Sequence, residues 1–130
     1  MKPINPDGWP TPRGYANAML ADNGVLFIAG QIGWDAQGKL KPDFIGQFRQ
    51  ALANIRSIVE AAGGRVEQIA RLTWFVTDLE QYRANGREIG AAYREVMGRH
   101  FPSMTVVEVK GLVEKDALIE IEASAVVIQP

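Results

Sequence analysis

The sequence predicts an α+β fold in which one β-sheet carries two helices on a single face. Three observations lead there. Residues 44–62 and 79–97 carry apolar side chains at helical spacing. Short runs rich in β-branched and aromatic residues alternate with them, giving the order β-β-α-β-α-β-β. The last run, Ala117–Ile128, alternates apolar and polar side chains with the two-residue period of a half-buried strand. Two amphipathic helices cover only one face of such a sheet, so the second face is expected to be polar or to bury itself in an oligomer.

The chain opens on an arm, residues 1–14, with prolines at positions 3, 6, 10 and 12. Proline fixes φ and removes a donor, so this arm is expected to be irregular. A short strand around Tyr15–Ala21 is expected to pair with residues 24–32, GVLFIAGQI, through the Asn23-Gly24 turn. In the first helix Phe44, Phe48, Leu52, Ile55 and Val59 lie on one stripe, with Asp43 as N-cap and Gly63 as C′ residue. Gln47, Arg49, Gln50, Arg56 and Glu60 are expected on its other side. Ala70–Thr77 reads as a strand. Asp78 then caps a second helix, with Gln81 as its capping-box partner and Gly98 at its end. Gly86 and Gly90 inside that helix each cost ~1 kcal/mol relative to Ala, which suggests close approach of another backbone. Ser103–Lys110 and Ala117–Ile128 complete the sheet.

Composition narrows the chemistry. The 130 residues suit a single domain, 1–130, with ordinary hydrophobic (47%) and charged (22%) fractions. There is no cysteine and one histidine, His100. That excludes a thiolate nucleophile, a disulfide and a Cys-based metal site, and a His-based zinc site lacks its imidazoles. A formal charge of -1 offers no footprint for nucleic acid. No apolar run approaches the ~20 residues that span a bilayer. With no signal peptide evident at the N-terminus, a cytoplasmic setting is expected.

The last strand places Glu120 and Glu122 on the face opposite the helices, about 6.6 Å apart at strand spacing. Burial of either would raise its pKa and make it a general acid or base; a solvated pair of acids is the plainer alternative. Gly30-Gln31-Ile32-Gly33 at a strand end either exposes backbone amides to a ligand or forms a turn or bulge. Trp34 either walls a pocket or shields an edge. His100, after the second helix, suits a dipole-complementing or plain loop role.

Several segments also carry a family resemblance. In order they are Gly14-Tyr15-Ala16-Asn17-Ala18, Ala29-Gly30-Gln31-Ile32-Gly33, Gln47 with Gln50-Ala51-Leu52-Ala53-Asn54-Ile55, and Ala61-Ala62-Gly63. Thr73-Trp74-Phe75-Val76-Thr77-Asp78, Asn85, Phe101-Pro102, Val107-Glu108-Val109 and Ile119-Glu120-Ile121-Glu122-Ala123 follow. From about Tyr15 to Val126 the chain resembles the RidA/YjgF family of reactive-intermediate deaminases. The resemblance implies a chorismate-mutase-like mixed sheet, a homotrimer with its sheets facing inward, and small-molecule sites in clefts between neighbouring subunits. It implies hydrolysis of enamines or imines to a keto acid and ammonia, with no metal and no cofactor. Glu120 would activate water and carry its proton. Tyr15 and Asn85 would line the pocket, and Gly30 and Gly33 would offer backbone contacts.

One position departs from the family pattern. Pro102-Ser103-Met104-Thr105 puts Met104 where the deaminase branch carries an arginine for the substrate carboxylate. Methionine cannot form that bidentate pair, whose loss costs about 2–5 kcal/mol of recognition. The expected substrate therefore differs from generic 2-imino acids. One version is an aminomuconate-type deaminase in which Arg13 or Arg71 supplies the anion contact. The alternative is a non-catalytic ligand-binding or interaction protein on the same trimer. Ribonuclease or translation-inhibitor activity is the least supported, given near-neutral charge and a lone His.

Overall fold

A computed structural model describes residues 1–128, so the last two positions of the expected domain lie outside it. Six strands form one sheet: β1 (Lys2–Ile4), β2 (Ala18–Leu20), β3 (Val25–Gln31), β4 (Ile69–Val76), β5 (Ser103–Glu108) and β6 (Ile119–Val126). Their order is β1-β2-β3-β6-β4-β5. The β4–β5 pair is parallel and the others antiparallel, so the sheet is mixed. Three helices accompany it, α1 (Phe44–Ala61), α2 (Leu79–Ala84) and α3 (Gly86–Met97).

The core lies between the helices and one sheet face. Ile119, Ile121, Ala123 and Ala125 of β6 point into it, as the alternation predicts, together with Leu26, Ile28, Leu72, Trp74 and Val76. The α1 stripe from Phe44 to Val59 packs onto this surface. α1 ends in a Schellman motif: Gly63 N–H donates to Glu60 O at 2.9 Å and Gly64 N–H to Val59 O at 2.9 Å, with Gly63 at φ 86°. Asp43 stands at the N-cap with no side-chain bond to the helix.

Five features differ from the sequence reading. The proline-rich arm contains β1, which pairs with β2 in the register Pro3↔Met19. It is an edge strand, where a proline can turn its missing N–H away from the partner, and its last residue, Ile4, is buried in the core. The second helix is two helices. Asn85 ends α2 and begins α3 at φ -114°, and its Nδ2 donates to Gln81 O at 2.6 Å. A short amide that bonds nearby backbone competes with a continuing helix. Neither glycine in this region meets another backbone: Gly86 faces open space, and Gly90 faces only the Arg94 side chain. The capping box at Asp78 is half formed. Asp78 Oδ1 accepts from Glu80 N–H at 2.9 Å, but Gln81 Oε1 is buried without a partner, and Glu108 Oε1 accepts the Leu79 N–H at 3.0 Å.

Gln47 is the fifth difference. Expected on the polar side of α1, it is 1% exposed. Its Nε2 donates to Lys41 O at 2.9 Å and Asp116 O at 3.2 Å, and its Oε1 accepts from Leu118 N–H at 2.7 Å. One amide thus ties α1 to the segments on either side of it and holds the start of β6 in place. Asn54, one face-repeat further on, donates to Ile32 O at 3.1 Å and Trp34 O at 2.9 Å. Among the described residues no helix is long and apolar enough to cross a membrane.

The other sheet face has no helix over it. Its cross-strand rows are Glu120–Phe75–Val107, Glu122–Thr73–Thr105 and Ser124–Arg71–Ser103, with Phe27 beside Ser124 and 51% exposed.

Candidate active site

The sequence places Glu120 one residue inside β6, where the register with β3 is broken. Ile28 pairs with Ala123 and Gln31 with Ile121, so Ala29 and Gly30 together oppose Glu122. This bulge brings the Gly30 backbone beneath the Glu120 side chain. A Cβ on Gly30 would stand 2.7 Å from Glu120 Cδ and 2.9 Å from its Cγ. Glycine is required there so that the carboxyl can lie against the strand.

The carboxyl is half-buried, while Glu122, two residues on, is exposed. Burial pushes the Glu120 carboxyl above its ordinary value, and the Glu122 carboxylate adds to that rise. A carboxyl poised in this way can both accept and return a proton.

Glu120 forms one wall of a cavity of about 430 Å³ that also takes in Gly30, Tyr15, Trp34 and Trp9. The 109–118 connection closes another side with Val113 and Glu114. Beneath it, Asn17 and Asn54 form a polar floor. Asn17 Nδ2 donates to Asn5 Oδ1 at 2.7 Å, and Asn17 Oδ1 accepts from Gln31 Nε2 at 3.4 Å. These bonds tie the N-terminal arm to the end of β3. Asp35 Oδ1 accepts the N–H groups of Gln37 at 2.9 Å and Lys39 at 3.0 Å, which holds its carboxyl below its ordinary value.

Of the residues singled out from sequence, Tyr15, Gly30 and Glu120 meet at this cavity, and Trp34 walls it. Gly33 does not contact it. It is buried against α1, where a Cβ would stand 2.7 Å from both Cβ and O of Gln47, so its small size serves helix packing rather than a ligand. Asn85 sits at the α2–α3 junction. Met104 pairs with Leu72 on the helix-bearing face of β5, an edge strand two places from β6, and is 38% exposed. Within one chain, Met104 and Asn85 therefore do not join Glu120. Arg71 lies in the Ser124 row and lines a separate hollow of about 390 Å³ with Glu122 and Thr73. Arg13 is exposed in the arm and does not line the Glu120 cavity. His100 Nε2 lies 2.7 Å from Ile69 O and its own carbonyl accepts from Tyr93 OH at 2.5 Å, so it pins the turn before β5.

Trp9, Asn17, Asn54 and Glu114 were not foreseen as site residues. The prolines of the arm that carries Trp9 argue for irregular chain, and the fold brings it to the cavity because β1 anchors the arm at the sheet edge. Asn17 and Asn54 lay inside motif segments but carried no periodic signal of burial.

The family model described as Endoribonuclease L-PSP matches residues 10–127. A RutC family protein of Pyrococcus horikoshii is 39% identical over 126 residues, spanning 95% of this chain and 89% of that protein. A 2-iminobutanoate/2-iminopropanoate deaminase of Salmonella typhimurium is 40% identical over 106 residues, 78% of this chain and 79% of the relative. The solved YjgF gene product of Escherichia coli superposes with a TM-score of 0.83 at 34% identity, covering 97% of this chain and 98% of that one. With the mixed sheet, its helices on one face and a match over nearly the whole length, the chain belongs to the RidA/YjgF family.

Proposed function

We propose that the protein is a deaminase that hydrolyses a small enamine or imine, with Glu120 handling the proton of the attacking water. The observation that carries this reading is the half-buried Glu120 carboxyl, laid against Gly30 in a cavity and raised in pKa by burial. The deaminase names of relatives such as the one from Salmonella typhimurium support the reaction class.

The chemistry is balanced without an oxidant. Glu120 as carboxylate takes a proton from water while the water oxygen bonds to the carbon of the protonated imine, giving a neutral carbinolamine. Glu120 returns that proton to nitrogen; the C–N bond then breaks as the hydroxyl oxygen becomes the carbonyl, its proton passing through Glu120 to the departing ammonia. The net change is imine plus water to carbonyl compound plus ammonia. Tyr15 borders the substrate, and Gly30 leaves room for the carboxyl.

The working unit in this reading is a homotrimer with the uncovered sheet faces turned inward. Phe27, Phe75 and Val107 supply apolar surface on that face. The cleft then lies between chains, and the edge strand β5 brings Met104 to a neighbour's cavity. Met104 in place of an arginine sets the substrate apart from generic 2-imino acids. The alternative, non-catalytic ligand binding on the same scaffold, draws on this missing cation alone. The test is ammonia release from freshly generated 2-iminopropionate, 2-iminobutanoate and 2-aminomuconate. Release from any one supports the deaminase reading; its absence from all, with the oligomer intact, favours the binder.

A further inference from the structure

We propose that this site selects an imine that carries no carboxylate, bound as its protonated cation against an aromatic or bulky apolar body. The inference rests on the deaminase reading above and names its substrate class. It starts from which side chains face the Glu120 cavity. Three are aromatic: Trp9, Tyr15 and Trp34. Three are acids: Asp35, Glu114 and Glu120. No lysine or arginine lines the cavity among the described residues. Lys39 and Lys41 are near enough to Asp35 to favour its ionised form, but neither lines the cavity.

Each part of that lining has a direction. A carboxylate ligand would enter a space bordered by like charges, with no cation from this chain to meet it, and like-charge juxtaposition selects against such a ligand. A protonated imine carries its positive charge at the nitrogen, where the same acids attract it. Indole and phenol faces hold organic cations through their π-electrons and also accept flat apolar groups. A cavity of about 430 Å³ is larger than a three- or four-carbon imino acid needs and accommodates an aryl-sized body. Met104, at the position proposed to reach the cavity from a neighbouring chain, adds apolar surface and no charge. Protonation also makes the imine carbon more electrophilic, so the ion that binds best is the ion that water attacks.

The test separates binding from turnover. Titration of the intact oligomer with 2-phenylethylammonium and with 3-phenylpropionate, followed by tryptophan fluorescence, reads charge preference on one aryl body. The ammonium is expected to bind at least tenfold more tightly. Glu114→Gln and Trp34→Ala, both at the cavity mouth, are each expected to weaken it threefold or more with an unchanged melting temperature. Equal or tighter binding of the carboxylate, or no binding of either, overturns the proposal. Turnover then compares 1-phenylethanimine, generated by an amine oxidase from 1-phenylethylamine, with 2-iminopropionate. At least tenfold faster hydrolysis of the aryl imine supports it. Comparable or faster hydrolysis of 2-iminopropionate overturns it while leaving the deaminase reading intact. Preferential ammonium binding with neither of these two imines, nor 2-iminobutanoate or 2-aminomuconate, hydrolysed supports the charge preference and removes the deaminase reading.

Discussion

The Glu120 side chain lies directly against the Gly30 backbone, so close that a Cβ on Gly30 would stand 2.7 Å from Glu120 Cδ. This contact crosses the β3–β6 bulge and sets where the carboxyl sits. Gly30 has no positive φ, so alanine meets no backbone penalty there and the displaced group is a side-chain end. Gly30→Ala is expected to lower hydrolysis by at least tenfold while the melting temperature stays within about 2 °C, a shift below ~1 kcal/mol. Parallel activity and calorimetry measurements check both halves.

Gly33→Ala should behave in the opposite way. The added methyl would meet Gln47 Cβ and O at 2.7 Å, and the carbonyl oxygen belongs to the α1 backbone and cannot swing aside. Overpacking of this kind costs about 1–3 kcal/mol. Urea denaturation should register that loss, and catalysis per folded molecule should change little.

Gln47→Leu keeps the volume of a buried side chain but abandons Lys41 O, Asp116 O and Leu118 N–H. Buried groups left unpaired cost about 1–3 kcal/mol each, and some of these reach water, so a total loss of about 3 kcal/mol is expected. Hydrogen exchange should show the 109–118 connection opening first, since this amide ties it to α1.

In the proposed homotrimer the uncovered sheet faces meet. Glu122 and Thr73 are direct cross-strand neighbours near the middle of that face. Thr73→Glu sets like charges opposite each other and buries them if chains meet there. Sedimentation should give three times the chain mass for the native protein and a single chain for the variant, with its sheet content retained.

The acidity of Glu120 predicts a pH dependence. Because burial raises its pKa, the folded chain holds this proton more tightly than the unfolded chain. Within the window between the ordinary and the raised value, folding takes up a proton, so this group's contribution to stability falls as pH rises. Glu120→Gln removes that slope. Stability of the variant relative to the native protein should grow as pH rises above the ordinary carboxyl value. Denaturation at a series of pH values checks the sign.

What the sequence disclosed follows from periodicity. The β6 alternation separated Glu120 from the core-facing Ile119 and Ile121, and the α1 stripe located the helix-bearing face, because both repeats are local. The split at Asn85 was hidden because an apolar line runs on from Leu79 through Met97 across it. Gln47 was misplaced because a buried amide, fully paired to distant carbonyls, looks like any polar residue until the chain folds. The two glycines of Gly30-Gln31-Ile32-Gly33 have different tasks, one beneath a carboxyl and one beneath a helix, and nothing in their shared motif separates them. Trp9 joined the site through β1, whose proline argued against the very strand that carries it there.

Glu120 is proposed to handle the proton of the attacking water. Ammonia release from a freshly generated imine that the native protein accepts, measured beside Glu120→Gln at equal concentration of intact oligomer, tests it most directly. The expected result is loss of enzyme-dependent release in the variant to the uncatalysed rate, with folding and assembly unchanged. Undiminished turnover by Glu120→Gln would contradict the account.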